Sequence, residues 1–244
     1  MLFADIHIHA LFGVDDGAKT EDEMFSMVDT SYQDGVRQLC LTPHFDPGMF
    51  GDNREGVRQA FERLRKECRR RYPGLELALG NELRYSKDCT TWLRTGICQT
   101  MNDTQYVLLD FSEGEKAATI HRGLEELLGA GYIPILAHAE RYRNLHSMQD
   151  LYEFRENGVL IQIDVQSLHR AFGWRVQRRC HAILREQLAD FAGSDAHNLA
   201  DRPPGISSRY SYICKQYGDA YAEAICAKNA QALLFHVRQQ NELG

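Results

Sequence analysis

The sequence is short of the features that mark several large functional classes. None of its apolar runs is long enough to cross a membrane, so membrane insertion is not expected. No basic stripe interrupts a chain whose formal net charge is −6, so no nucleic-acid partner is expected either. The densest basic stretch, KECRRRY at 66–72, follows Glu62 and contains Glu67; it reads as the solvated end of a helix. The seven cysteines are odd in number, scattered and never spaced C-x-x-C, which argues against a cysteine zinc site or a disulfide framework and for a reducing cytoplasm. No cysteine has an arginine six positions on: Asp46, Gly74, Thr95, Thr104, Glu186, Ala220 and Ala232 stand there. A thiol phosphatase needs that arginine to cradle phosphate, so a cysteine nucleophile has no support. A G-x-x-x-x-G-K-[ST] loop and a G-x-S-x-G elbow are missing too. The chain runs at once into a strand pattern, so a signal peptide is not expected.

What the sequence does contain is a globular core. Its 244 residues are 43% hydrophobic and 25% charged, with no internal repeat, low-complexity tract or linker, so one domain over 1–244 is expected. Short apolar runs predict strands at 2–8, 38–43, 75–82, 106–111, 133–139, 159–165 and 188–195. Helical patterns lie between them near 20–35, 53–71, 88–95, 115–130, 147–157 and 174–187, and two more fill 206–237, broken near Gly218. Thr20 with Glu23 has the form of a capping box, and Gly35, Gly131 and Gly158 stand where helices should stop. Apolar strands alternating with helices imply a parallel sheet covered by helices. Seven such units favour a closed or nearly closed barrel of the TIM type, with an open doubly wound sheet as the alternative.

The polar residues at the C-terminal ends of these strands form a pattern. The first strand ends with His7 and His9, and a turn containing Asp15 and Asp16 follows. Later strand ends carry His44, Glu82, Asp110, His138 with Glu140 and Arg141, and Asp195 with His197. In a parallel barrel all these ends share one face, where active sites lie. Residues i and i+2 of a strand point to the same side, so His7 and His9 can share one cation, as can Asp195 and His197. Histidine and carboxylate suit zinc, manganese and iron. Five histidines and several carboxylates exceed what one tetrahedral ion needs, so a cluster of two or three bridged metals fits the count better. Each part alone is weak evidence, since an H-x-H pair or a D-D-G turn is common; the joint placement carries the reading. His121, His146, His169, His181 and His236 lack it and are assigned to surface or core.

The segments DIHIH, TPHF, GNE, AHAERY, GSDAHNL and RPP resemble the PHP superfamily. GVDDGAKT, GMF at 48–50 and MNDTQY at 101–106 are similar to its bacterial tyrosine-phosphatase branch, found in capsule and exopolysaccharide loci. The resemblance runs to about residue 230. It implies a TIM-like (β/α)7 barrel and three divalent metal ions, with manganese first and zinc or iron as alternatives. His7, His9, Glu82 and Asp195 would hold one metal. Glu82 would bridge to a second, held also by Asp110 and His138, and Asp16, His44 and His197 would hold the third. Asp15 is assigned to turn chemistry. Arg141 and Arg202 match the arginines that grip phosphate. Two features depart from the branch. Asp110 stands where glutamate is usual, and EGEKAA at 113–118, near the expected substrate mouth, is unlike the branch.

The chemistry implied is hydrolysis of phosphotyrosine by a metal-bound hydroxide attacking phosphorus in line, with the arginines on the non-bridging oxygens. A phenol of pKa about 10 leaves readily, so a strong general acid is not required. Asp195 and His44 are the candidates if one acts. The expected partner is a phosphotyrosine protein, the tail of a tyrosine kinase controlling polysaccharide export. Two alternatives stand beside this reading: a small-molecule phosphoesterase such as a histidinol-phosphate phosphatase, and a non-catalytic metal-binding docking module.

Overall fold

Nine strands, all paired in parallel, run through the described residues 1–235 of a computed structural model. β1 (Phe3–Ile8), β2 (Val36–Leu41) and β4 (Glu76–Leu79) form one segment in the order β1-β2-β4. The other has the order β3-β5-β6-β7-β8-β9, with β3 (His44–Phe45), β5 (Glu82–Arg84), β6 (Tyr106–Asp110), β7 (Ile133–Leu136), β8 (Leu160–Asp164) and β9 (Phe191–Gly193). The sheet curls until its ends meet. Ile8 bridges Ala196, the Asp195 N–H donates to the His7 carbonyl at 2.8 Å, and the His9 N–H donates to the Ala196 carbonyl at 2.9 Å.

The expected strand over 75–82 is observed as two, β4 and β5, and β3 continues the strand expected at 38–43 after a break. The physical reasons are local. Pro43 has no N–H to donate to a ladder. Gly80 lies against another chain segment: a Cβ there would sit 2.7 Å from Met101 Sδ and 3.2 Å from its Cα. Both breaks fall where the chain turns to aim His44 and Glu82 into the sheet's open end.

The helices are α1 (Glu21–Gln33), α2 (Pro47–Phe50), α3 (Arg54–Arg71), α4 (Cys89–Arg94), α5 (Ala117–Gly129), α6 (Met148–Glu156), α7 (Trp174–Arg185), α8 (Ser207–Tyr217) and α9 (Asp219–Glu223). All but α2, a single turn capped by the Asp46 side chain, lie where the periodicity places them. The Thr20 side chain caps α1 by accepting from the Glu23 N–H, but the Glu23 carboxylate reaches the Lys19 N–H rather than that of the cap residue. Gly35, Gly131 and Gly158 take φ of 95°, 87° and 92°, the left-handed turn that ends a helix. The basic end of α3 is laced with ion pairs, Arg65 to Glu62 and both Arg70 and Arg71 to Glu67. After Gly218 the chain is helical but wide, with π-type turns at Ala224–Lys228 and Gln231–Phe235. The remainder of the pattern expected to 237, with His236, lies outside the described residues.

Two apolar layers result. The larger packs helices on the outer faces of the strands. In the smaller, strand side chains meet one another: Ala4, Ile6, Cys40, Ala78, Leu108, Ile135 and Phe191, with Leu234 and Phe235 against them. Leu108 is two residues before Asp110, so by strand alternation both face the same way. The apolar layer is the floor beneath a polar site.

Candidate metal centre

Strand alternation places His7 and His9 side by side. Their Nε2 atoms are 3.2 Å apart and both rings are fully buried. Glu82 Oε2 lies 3.3 and 3.2 Å from those two nitrogens, and Asp195 Oδ1 lies 3.3 and 3.4 Å from them. A tetrahedron whose centre is about 2.0–2.1 Å from each corner has edges of about 3.3–3.4 Å, so these four atoms have the spacing of ligands around one small cation. On the other side of Glu82, Oε1 is 2.8 Å from His138 Nε2, and Asp110 Oδ1 is 3.6 Å from that nitrogen. Toward the mouth, His44 Nδ1 is 2.9 Å from Glu82 Oε2, and Asp16 Oδ1 lies 3.4 Å from His44 Nε2 and 3.5 Å from His197 Nε2. The structure thus gathers three candidate ligand groups: His7, His9, Glu82 and Asp195; Glu82, Asp110 and His138; and His9, Asp16, His44 and His197. The grouping differs from the expected one at His9 alone, which joins the third group as well as the first.

The surroundings prepare these atoms to donate lone pairs. His7 Nδ1 faces Gln162 Oε1 at 3.3 Å, His9 Nδ1 faces Asp15 Oδ2 at 2.9 Å, and His197 Nδ1 faces the Asp195 carbonyl at 3.0 Å. Each acceptor assigns the proton to Nδ1 and leaves Nε2 as a ligand. Burial, then the nearby Arg141, pushes His138 down to about 4; burial, then His9, does the same to His197. Both imidazoles are therefore neutral near pH 7. Burial opposes ionisation of Glu82 and Asp195, yet His44 and His7 hold Glu82 well below the usual range, and Arg141 and His7 hold Asp195 there. Asp110 goes the other way: burial, then the charge on Glu82, raises it to about 7. Glu82 Oε2 and His197 Nε2 are buried without a hydrogen-bond partner. Such atoms are rarely left unsatisfied. A divalent cation at each group would satisfy them, so the donor set fits metal.

The two arginines converge on Asp195. Arg141 Nη2 bonds Asp195 Oδ2 at 2.7 Å and also pairs with buried Asp164; Arg202 pairs with the same Asp195 oxygen. The Phe172 ring lies under both guanidiniums, 3.9 Å from Arg141 and 5.8 Å from Arg202. Each Nε is buried and unpartnered, so each fork keeps an unused donor. His138 and Asp195 have φ of 31° and 48°, a left-handed conformation that costs of order 1 kcal/mol in a non-glycine residue and clusters at functional sites.

Several residues at the site escaped the sequence reading. Asp15 is in its turn, accepting from the Gly17 N–H at 2.9 Å, but its other oxygen orients His9 and accepts from the His44 N–H. Gln162 Oε1 holds both His7 Nδ1 and the His138 N–H, and Asp164 anchors Arg141. Arg84 and Tyr142 hold Asp110, at 2.9 and 3.1 Å. A usable signal existed for two of them: Gln162 and Asp164 are polar residues two apart in the otherwise apolar run VLIQIDV. The histidines assigned to surface or core take no part in the three groups among the described residues; His121, for example, pairs with Asp150, and His181 with the Tyr217 hydroxyl.

Two expected results follow from this supporting layer. Asp15→Asn leaves the turn but weakens the grip on His9 Nδ1, so metal affinity and any metal-dependent activity should fall about 10- to 100-fold; an unchanged metal titration would contradict it. Gly193→Ala should cost about 1–3 kcal/mol in thermal or denaturant unfolding. Its Cβ would meet His7 Cβ at 2.8 Å and Gln162 Nε2 at 2.9 Å, so the strand and the ligand cannot both stay in place. Wild-type stability in this variant would count against the packing described.

Known proteins resemble this chain over most of its length. Residues 3–235 match the family described as capsular polysaccharide synthesis, CpsB/CapC. The tyrosine-protein phosphatase CpsB of Streptococcus agalactiae serotype III (strain NEM316) is 34% identical over 236 residues, covering 94% of this chain and 97% of that protein. The tyrosine-protein phosphatase YwqE of Bacillus subtilis (strain 168) is 29% identical over 231 residues, covering 94% and 91%. A crystal structure from a study of YwqE from Bacillus subtilis and CpsB from Streptococcus pneumoniae, described as unique metal-dependent tyrosine phosphatases, superposes with a TM-score of 0.81. It is 28% identical and covers 90% of this chain and 89% of its own. The alignment with YwqE and CpsB bears out the resemblance read from the motifs, and the chain belongs to the CpsB/CapC family of capsular polysaccharide synthesis.

Proposed function

We propose that this chain is a metal-dependent protein-tyrosine phosphatase whose site holds three divalent cations, manganese first among the candidates. The observation that carries the reading is the continuity of the ligand groups. Glu82 belongs to two of them and His9 to two, and a pair of guanidiniums meets at Asp195 beside them. Such a chain of shared ligands suits a phosphomonoester, whose dianionic oxygens need several positive charges at once. The sevenfold barrel is part of the same proposal. It counts β2 with β3, and β4 with β5, as single interrupted strands, and takes 1–244 as one phosphatase domain.

In this reading His7, His9, Glu82 and Asp195 hold one cation, Glu82, Asp110 and His138 a second, and Asp16, His44 and His197 a third, with His9 close to the last. Bound there, the cations supply charge neutralisation and acidify coordinated water. The protein's own groups do the rest. Arg141 and Arg202 bind the non-bridging phosphoryl oxygens through their planar forks, on the Phe172 ring that keeps both from swinging away. Asp164 and Asp195 fix the Arg141 plane. Neither candidate is well suited to donate a proton: Asp195 is held ionised by two guanidiniums, and His44, its side chain 16% exposed at the mouth with Phe50 stacked on its ring, is committed to the third cation. The demand for a general acid is small, because a phenolate of pKa about 10 is a good leaving group. The substrate we propose is a phosphotyrosine protein, the tail of a kinase controlling polysaccharide export, which agrees with the family's link to capsule synthesis.

Hydrolysis of a phosphotyrosine peptide after metal reconstitution tests the reading, run beside a chelator and a thiol alkylator. Activity should vanish with the chelator and survive alkylation, since six of the seven cysteines are buried and none lies in the ligand groups. Activity that persists in chelator, or is lost on alkylation, would overturn it. Faster turnover of histidinol phosphate than of the peptide would favour the small-molecule alternative.

A further inference from the structure

We propose that the N-terminal half of α7 forms an anion-binding groove beside the metal centre, and that it takes an acidic stretch of the substrate polypeptide next to the phosphotyrosine. The inference rests on the phosphatase reading and names what that substrate carries. A cavity of about 740 Å³ is lined by Arg141 at one end and by Phe172, Trp174, Arg175, Arg178 and Arg179 along its wall. Arg141 thus belongs both to the phosphate end and to the groove, so a peptide whose phosphate reaches Arg141 continues along α7.

The charges of that wall lack carboxylate partners. Five arginines on α3, by contrast, are paired: Arg58 with Glu55, Arg63 with Glu21, Arg65 with Glu62, Arg70 and Arg71 with Glu67. The sequence of α7, WRVQRRCHAILR, contains no acid at all. Among the described residues Arg175 and Arg178 form no ion pair or hydrogen bond, and Arg175 touches only the Trp174 ring, at 5.5 Å. Arg179 Nε and Nη2 are buried from solvent and have no hydrogen-bond partner, at a desolvation cost that an incoming anion would relieve. Arg175, in the first turn of α7, also opposes the helix dipole. Three guanidiniums without an ion pair thus share one wall of the cavity. Of the acids on the wall, Glu113 pairs with Arg143, and buried Glu140 takes the Asp164 N–H and the Ser167 hydroxyl on Oε1. Glu140 and Asp150 act on Arg179 through their charge without forming an ion pair with it, and neither pairs with Arg175 or Arg178. Trp174, 57% exposed, adds a flat apolar surface for the peptide between the charges. The overall charge of −6 would repel an acidic peptide elsewhere on the surface, so its attraction must be local to this groove.

The test is binding of fluorescent peptides to the metal-loaded full chain by anisotropy. Their phosphotyrosine is replaced by a non-hydrolysable phosphonate, and its flanks are glutamates, glutamines or a second phosphonotyrosine. Wild-type protein should bind the glutamate peptide about tenfold tighter than the glutamine peptide, with the difference shrinking at high salt. The exposed double variant Arg175→Gln/Arg178→Gln should bring the two together while leaving turnover of p-nitrophenyl phosphate unchanged. Arg178→Glu should reverse the preference. Equal binding of the glutamate and glutamine peptides by wild type, an undiminished preference in the double variant, or a preference for the second phosphonate alone would each overturn the proposal. Failure of the wild type to hydrolyse any aryl phosphate would instead sink the phosphatase reading, and is read separately from the binding.

Discussion

Glu82→Gln should remove about 10³-fold or more of kcat/KM on a phosphotyrosine peptide and strip metal from the protein, with little change in overall fold. Its carboxylate has histidine nitrogens from His7, His9 and His44 within 3.3 Å of one oxygen and His138 at 2.8 Å from the other. Among the described residues it is the one carboxylate that belongs to two ligand groups. The amide keeps the size and one acceptor oxygen but loses the charge, and its NH₂ cannot bridge cations. Metal analysis of the purified variant distinguishes this from a simple loss of reactivity: at least two of the proposed cations should be lost together, because Glu82 belongs to two groups. A variant that retained wild-type metal content and activity would remove the central ligand from the account.

Arg141→Ala should have the second largest effect, and in two observables. Activity should fall about 10²- to 10³-fold, as for loss of a positioned donor to a transition-state oxygen. Stability should also fall, by about 3 kcal/mol, since removing one partner of a buried ion pair leaves the other uncompensated. Asp164 is fully buried, and its carboxyl is pushed up to about 7 by burial even with Arg141 beside it. Asp195 still has Arg202, which limits the damage on that side. Arg141→Lys separates the two effects. It restores a charge near Asp164 and should recover stability, but a single ammonium cannot bond two carboxylates and a phosphoryl oxygen in one plane, so activity should stay low. Full activity in the lysine variant would mean that the guanidinium's geometry is unimportant and only its charge counts.

How far the sequence could be read is best seen residue by residue. The parallel sheet, the helix limits and the face carrying the polar strand ends were all legible, because strand and helix periodicities and glycine stops are local properties. His7, His9, His44, Glu82, His138, Asp195 and His197 could be found because each follows an apolar run at the same end of its strand. The interruptions at Pro43 and Gly80 were not read, although their causes are local in one case and tertiary in the other: Gly80 is required by the approach of Met101, which is 21 residues away in sequence. The orienting residues were harder. Asp15 was taken for turn chemistry, and it does stabilise the turn, but its second oxygen serves His9; a residue with two roles shows only the commoner one in sequence. Asp110, one methylene shorter than the glutamate the resemblance led us to expect, lies in a candidate ligand group with Glu82 and His138. Its Oδ1 is 3.6 Å from His138 Nε2, and Arg84 and Tyr142 hold its carboxyl.

The EGEKAA segment, unlike its counterpart in the branch, also finds a physical setting. Glu113 lines the same cavity as Arg141 and α7 and pairs with Arg143 across it. This departure from the branch thus borders the cavity where peptide flanks are proposed to lie.

The most direct test of the account is a metal titration of chelator-stripped protein, with hydrolysis of a phosphotyrosine peptide followed at each addition and bound metal measured in parallel. The account predicts no activity without metal, and activity that rises with bound equivalents and levels off at about three per chain, the number of ligand groups at the strand ends. Full activity in the stripped protein, or metal bound at those equivalents with no hydrolysis of any aryl phosphate, would contradict it.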